Sequence, residues 1–161
     1  MNSGNLSDFV ANLKAERQLF QEFTELLQAE QETLLRGDID RLASLAHLKS
    51  DKILILSQLE DSRNKFLSGL SYSPNQSGME AWLQAQGGNP LDARSIWHEL
   101  LELAKLAQHL NQSNGAIIEQ KLRHNQQALA VLQAASKQSS LYGPNGQTLT
   151  SMQSGRPLGK I

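Results

Sequence analysis

An apolar residue recurs at every seventh position through the N-terminal part of the chain. The residues of this row are Leu6, Leu13, Phe20, Leu27 and Leu34. Because a seven-residue repeat keeps one face of an α-helix apolar along its whole length, the row predicts a long helix that packs against other helices. We expect this helix to span residues 6–36 and to be about 45 Å long.

A glycine and an aspartate separate the first helix from the second. Gly37 suits the position just after a helix, and Asp38 suits the N-cap of the next one. The second helix is expected over residues 39–70. Because the joint is so short, this helix should lie beside the first and antiparallel to it. Its apolar residues form two adjacent rows, so we expect it to pack against two neighbours. The rows contain Ile39, Leu42, Ala46, Ile53, Leu56, Leu67 and Leu70, and Leu45, Leu48, Ile55, Leu59 and Phe66.

Turn-forming residues follow the second helix over residues 71–88. Within this connector, Ser77 and Glu80 have the spacing of a capping box, which predicts a short helix over residues 78–86. That helix carries Trp82, which we expect to close one end of the bundle; the alternative is a role in binding.

Asn89 followed by Pro90 predicts the start of a third long helix, over residues 90–137. The apolar periodicity ends there, so residues 138–161 are expected to form a mobile C-terminal tail. The predicted fold is all-α: an antiparallel bundle or coiled coil of three long helices in one domain, residues 1–137, with a short connector helix and a flexible tail.

The composition and residue spacing oppose a catalytic role. The chain has no cysteine, so it has neither disulfides nor a thiolate nucleophile. No two of the four histidines have the spacing of a helical metal site. Their positions are His47, His98, His109 and His124. We therefore expect no enzyme activity, no catalytic residues, no metal and no cofactor.

The chain shows no signal peptide and no apolar run of the roughly 20 residues that a membrane span needs, so we expect a cytoplasmic protein. From residue 120 onwards it contains basic residues and no acidic one. These are Lys121, Arg123, Lys137, Arg156 and Lys160. They form either a solvated tail or a basic arm that meets an acidic protein surface. Nucleic acid is not expected, because the cations are sparse and no aromatic residues alternate with them.

The segment from Leu110 to Leu132 combines an apolar row with amide side chains. The row contains Leu110, Ile117, Ile118, Leu122, Leu129 and Leu132, and Asn111, Asn114 and Asn125 lie on or beside it. Gly115 also lies here, where a glycine costs a helix about 1 kcal/mol relative to alanine. Such residues on the inner face of a helix have either a packing reason or a partner, and we favour the partner.

Two classes of protein fit this pattern: a binding module that holds another protein, and a structural coiled coil that self-associates. Polar residues interrupt the apolar rows at Lys49, Lys52, Arg63, Asn111 and Asn114. These interruptions favour the binding module, because a permanent self-associating seam is usually more uniformly apolar. Single polar positions can also set the register of a coiled coil, and a weak homodimer is compatible with either class.

Several segments resemble the FlgN family of flagellar export chaperones. The similarity lies in Asn111–Glu119, in Asn125–Leu129 with Leu132, in the Tyr-Gly-x-x-Gly-Gln-Thr pattern of Leu141–Thr148, and more loosely in Gly37–Asp38, Lys49 and Ile53–Leu56. The resemblance implies a cytoplasmic chaperone that binds the C-terminal helical segments of FlgK-like and FlgL-like hook–filament junction subunits. Such a chaperone prevents premature assembly and delivers the subunits to the flagellar type III export gate.

The resemblance also suggests which residues meet partners. Contact with the client subunit, or with the core of the fold, is assigned to Leu110, Asn114, Ile117, Ile118, Leu122, Leu129 and Leu132. Contact with the export gate is assigned to Tyr142, Gly143 and Gly146. The alternative function is a self-associating coiled-coil structural or adaptor protein without client specificity.

Overall fold

The computed structural model describes residues 3–87 and 92–141, with side chains over 5–87 and 92–138. In this part of the chain the fold is all-α, as the sequence predicts. The helices are α1 (Ser3–Arg36), α2 (Ile39–Gly69), α3 (Gln76–Ala85) and α4 (Ala93–Leu141). Two compact units are present, Met1–Ile118 and Glu119–Ile161. The predicted tail beyond Leu141 lies outside the described residues.

The joint between α1 and α2 has the geometry that its two residues predict. Gly37 has φ +75°, a left-handed conformation that glycine adopts without strain, and its N–H donates to the Thr33 carbonyl oxygen at 3.0 Å. The Asp38 carboxylate accepts a hydrogen bond from the Arg41 N–H at 3.0 Å and so caps α2. Both predictions for this joint are confirmed.

Aromatic side chains from different helices form a core at one end of the first unit. Trp82 of α3 is fully buried and meets Phe9 of α1 and Phe66 of α2 edge-on, with ring centroids 5.0 and 5.8 Å away. Phe9 and Phe66 stack on each other with centroids 3.8 Å apart. Trp97 and Leu100 of α4 belong to the same buried cluster. Trp82 therefore has the core position that the sequence predicts.

Contacts between α1 and α4 show that these two helices run in the same direction. Arg17 pairs with Glu99 at 2.9 Å. Gln31 Nε2 donates to Ser113 Oγ at 3.1 Å. Each helix advances by the same number of residues between the two contacts, so α4 lies parallel to α1 and antiparallel to α2 within the first unit.

Helix α3 begins two residues before the predicted start. Asn75, not Ser77, is its N-cap, and Asn75 Oδ1 accepts a hydrogen bond from the Gly78 N–H at 2.9 Å. The Ser73 backbone lies against this first turn, since a Cβ at Gly78 would be 1.8 Å from the Ser73 carbonyl oxygen. The loop before α3 thus determines where the helix starts, and the predicted capping box between Ser77 and Glu80 is wrong.

The predicted start of α4 falls on residues that the structure does not describe. Asn89 and Pro90 lie in the gap between residues 87 and 92, and the helix itself begins at Ala93.

The double apolar stripe of α2 is only partly covered. Arg63 and Leu67 are the buried residues of this helix, whereas Ile39, Ile53 and Ile55 are exposed. Helix α2 packs along α1, but a cleft of about 490 Å³ lies between α2 and α4. The expectation that α2 packs against two neighbours therefore holds only in part.

Candidate functional site

The residues predicted to meet a client separate into a buried and an exposed group. Leu110 and Asn114 are buried, Ile117 is half-buried, and Ile118, Leu122, Leu129 and Leu132 are exposed. All of them lie on α4, but the structure brings only the first two into a packed cluster.

Asn114 is a hydrogen-bonded core residue with 1% of its surface exposed. Its Nδ2 donates to the Glu30 carboxylate at 2.8 Å and to the Leu27 carbonyl oxygen at 2.9 Å, both on α1. Leu110 belongs to the same buried cluster as Leu27. In this structure Asn114 and Leu110 therefore have the core position that was the alternative to client contact, because α1 encloses both side chains.

Two lysines of α2 form ion pairs with acids of α1. Lys49 Nζ lies 3.2 Å from the Glu30 carboxylate, and Lys52 Nζ lies 2.7 Å from the Glu22 carboxylate. The hydrogen bond from Lys52, aided by one from Gln18, lowers the pKa of the Glu22 carboxyl. These lysines hold α2 in register with α1.

Glu16 and Arg63 form a buried ion pair between α1 and α2, with side chains only 3 and 7% exposed. The Arg63 guanidinium also lies over the Trp97 ring of α4, 5.0 Å from its centroid. Burial raises the pKa of the Glu16 carboxyl, although Arg63 opposes the shift. Since Lys49, Lys52 and Arg63 all have partners inside the protein, these three residues do not distinguish a binding module from a structural coiled coil.

Three leucines form an exposed row on the helix of the second unit. Leu122, Leu129 and Leu132 are 55, 55 and 67% exposed, and their spacing of seven and then three residues places them on one helix face. Every described side chain from residue 119 to residue 138 is exposed, so no described part of the chain covers this row. An apolar row that stays open to water is a candidate surface for another protein.

Gly115 lies in an exposed position on α4. A Cβ built at this residue would meet nothing within 4 Å, so no close contact among the described residues requires a glycine. The packing of the described residues therefore gives no reason for a glycine at residue 115.

The other predicted features are absent from the described residues or lie outside them. Over residues 3–87 and 92–141, no group of three or more His, Cys, Asp or Glu side chains is placed to hold a metal ion. In the same ranges no helix is long and apolar enough to cross a membrane. Tyr142, Gly143 and Gly146, the residues predicted to meet the export gate, are outside the described part of the chain.

Comparison with known proteins identifies one family. The model of a family described as FlgN protein matches residues 1–150. The flagella synthesis protein FlgN of Proteus mirabilis is 33% identical over 135 residues, which cover 83% of this chain and 84% of that protein. The flagella synthesis protein FlgN of Yersinia enterocolitica is 31% identical over 150 residues, which cover 92% of this chain and 94% of that protein.

The namesake in Escherichia coli K12 is 29% identical over 135 residues, covering 83% of this chain and 84% of that protein. No solved structure gives a significant match. The family model covers the first unit and the second as far as residue 150, and so includes all four helices of the described residues. The chain therefore belongs to the FlgN family.

Proposed function

We propose that the protein is a cytoplasmic export chaperone for hook–filament junction subunits. It binds the C-terminal helical segments of FlgK-like and FlgL-like subunits, prevents their premature assembly and delivers them to the flagellar type III export gate. Family membership supports a role in flagellar synthesis. The observation that carries the client-binding part is the exposed leucine row, defined as Leu122, Leu129 and Leu132.

The exposed leucine row supplies the kind of contact that an amphipathic client helix needs. Such a helix buries its apolar face against anchors that recur every three, four or seven residues on its partner. Each leucine contributes about 1.5–3 kcal/mol when it passes from water into an apolar contact. Ordering the client segment opposes this gain, so the net affinity is moderate and the client can be released.

The charges beside the exposed leucine row favour a client with acidic residues. Lys121 and Arg123 flank Leu122 in sequence, and no acidic residue follows Glu119. A positive potential along this part of α4 attracts a negatively charged segment and repels other basic chains.

Calorimetry with synthetic C-terminal peptides of the junction subunits from the same genome tests client binding. In the full chain, Leu122→Ser and Leu129→Ser are each expected to weaken binding by about tenfold, the equivalent of about 1.4 kcal/mol. Thermal unfolding should not change, because both leucines are exposed. Val131→Ser is the matched control, since Val131 is an apolar residue at least as exposed as the two leucines but lies on another face of the helix. Unchanged affinity in both leucine variants would contradict the proposed surface.

Contact with the export gate is proposed for Tyr142 with Gly143 and Gly146. Tyr142→Ala is expected to leave the affinity for client peptides unchanged and to reduce the amount of export-gate protein recovered with the chaperone. Loss of client binding in this variant would show that the two contacts are not separate.

Self-association through the exposed leucine row is the competing function, that of a structural coiled coil. Sedimentation equilibrium over a range of concentrations distinguishes the two. A chaperone is expected to be monomeric or to form a weak homodimer that the client peptide displaces. A stable oligomer that binds no client peptide would favour the structural protein.

A further inference from the structure

The side of α2 that faces away from α1 is open to water along the helix. Lys49, Lys52 and Arg63 contact α1, and residues three or four apart on the opposite side form one continuous face. We define the outer face of α2 by the following residues, all of them exposed: Asp40, Ala43, His47, Ser50, Leu54, Gln58, Asp61, Lys65 and Ser68. No described part of the chain covers this face.

An apolar band crosses the outer face of α2 at its centre. Leu54 is 61% exposed, and Ile53 and Ile55 on its two flanks are 50 and 45% exposed. Consecutive residues of a helix point about 100° apart, so the three side chains together span more than half of the helix circumference. An exposed apolar patch that polar residues surround is typical of a protein contact.

The charges of the outer face of α2 complement the same face in the reverse direction. His47 lies seven residues before Leu54, and Asp61 lies seven residues after it. No hydrogen bond or ion pair within the described residues involves the side chain of His47 or Asp61. If two copies of α2 meet antiparallel with Leu54 on a two-fold axis, His47 of each copy lies opposite Asp61 of the other. An imidazole N–H donates to a carboxylate, so the contact gains two such pairs.

Other arrangements of two α2 helices lose these pairs or place like charges together. A parallel pair in register sets His47 against His47 and Asp61 against Asp61. An antiparallel pair shifted by one turn towards the C-terminus sets Asp51 against Asp61 and His47 against Lys65. A shift by one turn the other way separates His47 from Asp61 and Leu54 from its counterpart. The charges therefore select the register that also buries the apolar band.

We propose that the outer face of α2 is a self-association surface, at which two copies of this chain meet antiparallel about a two-fold axis through Leu54. The small side chains of Ala43 and Ser50 let the helices come close, and Ile53 and Ile55 cover the two flanks of the contact. One pair of helices buries less than the roughly 1,200 Å² of a stable interface, so the dimer forms only at high protein concentration. The contact does not use the exposed leucine row, so client peptides are not expected to displace it.

Disulfide trapping tests the geometry of the dimer, because the chain has no cysteine of its own. In Leu54→Cys the two introduced thiols face each other across the two-fold axis, so oxidation with copper phenanthroline is expected to give a covalent dimer. Ser62→Cys is the matched control: Ser62 is exposed on the same helix, but in the proposed pairing it lies about 24 Å along the helix axis from its counterpart. Leu129→Cys reports on a dimer that forms through the exposed leucine row. Cross-linking of Leu54→Cys that is no faster than in either other variant would overturn the proposal.

Sedimentation equilibrium of the full chain tests the pairing of His47 with Asp61. His47→Asp sets two acids opposite each other and should raise the dissociation constant of the dimer at least about tenfold. Adding Asp61→His to that variant restores both pairs in the reverse order, so the dissociation constant should return to within about threefold of the wild type. His109→Asp is the control, because His109 is exposed on α4, and it should not change the dissociation constant.

Thermal unfolding of these variants should match that of the wild type, because all the substituted side chains are exposed. A wild type that remains monomeric at millimolar concentration, or a double variant that dimerises as weakly as His47→Asp, would overturn the proposal. None of these outcomes changes the calorimetric result for the leucine variants.

Discussion

Asn114 of α4 donates a hydrogen bond to the Glu30 carboxylate of α1 at 2.8 Å. The same carboxylate accepts from Lys49 of α2 at 3.2 Å. One acidic residue thus connects α1 to both neighbouring long helices of the first unit. These hydrogen bonds fix the register of α2 and α4 against α1. If either helix slid along α1, a buried polar group would lose its partner.

Replacing the amide of Asn114 should destabilise the protein. Asn114→Leu removes the donor to Glu30 and to the Leu27 carbonyl oxygen, so we expect the free energy of unfolding to fall by about 1–3 kcal/mol. Urea denaturation measures the change. Asn111→Leu is the control: Asn111 is exposed on the same helix and should change stability by no more than about 0.5 kcal/mol. Equal or greater stability of Asn114→Leu would show that the amide is not needed for the packing of α4 on α1.

The buried pair of Glu16 and Arg63 should show strong coupling. Glu16→Leu or Arg63→Met alone leaves one buried charge uncompensated, and each is expected to cost about 3–5 kcal/mol. The double variant should recover most of that loss, because it removes both charges and fills the space with apolar groups. Urea denaturation of the four proteins completes the double-mutant cycle. Additive losses would mean that the two side chains act independently.

The contributions of Glu16 and Glu22 to protein stability should change with pH in opposite directions. Burial raises the pKa of Glu16 above its ordinary value of 4.5, so the folded protein holds this proton more tightly than the unfolded chain. The contribution of Glu16 to stability is therefore fully present below the unfolded pKa and is lost as pH rises through the folded pKa. The hydrogen bond from Lys52 lowers the pKa of Glu22, so its contribution is present above 4.5 and is lost as pH falls through the folded pKa.

Urea denaturation between about pH 3 and pH 7 measures these two contributions against the variants Glu16→Gln and Glu22→Gln. The stability of the wild type relative to Glu16→Gln should decrease as pH rises. Relative to Glu22→Gln it should increase, by a small amount, because the Glu22 side chain is 42% exposed and solvent screens its ion pair. Slopes of the same sign in both comparisons would contradict the assignment for one of the two carboxyls.

Gly115→Ala should stabilise the free protein and weaken its binding to client peptides. The added Cβ meets nothing within 4 Å and so causes no strain. Because alanine favours a helix more than glycine does, the free energy of unfolding should rise by about 1 kcal/mol. If a client backbone approaches α4 at this residue, the same Cβ obstructs it. Thermal denaturation and calorimetry measure the two effects. Gly69→Ala is the control, because Gly69 is an open helical glycine on α2 and its substitution should not affect client binding. A more stable Gly115→Ala with full affinity would remove this residue from the client surface.

The local features of the fold could be predicted from the sequence because they depend on residues close together in the chain. The heptad row of α1 and the joint at Gly37 and Asp38 are of this kind, and the structure confirms both. The start of α3 was predicted two residues too late. Both Asn75 and Ser77 are suitable N-cap residues, and the packing of the Ser73 backbone against Gly78 favours Asn75. The exposed leucine row was predicted only as part of a longer row that also contained buried residues.

The sequence by itself determined which residues form helices and which face of each helix is apolar, since both follow from spacing and capping. It also carried the segments that resemble the FlgN family, and the family comparison confirmed that membership. Only the tertiary structure decided which apolar faces are covered, that Asn114 bonds to Glu30 inside the fold, and that α2 and α4 leave a cleft between them. The physical reason is that periodicity defines the apolar face of a helix but contains no information on how close the next helix comes to it.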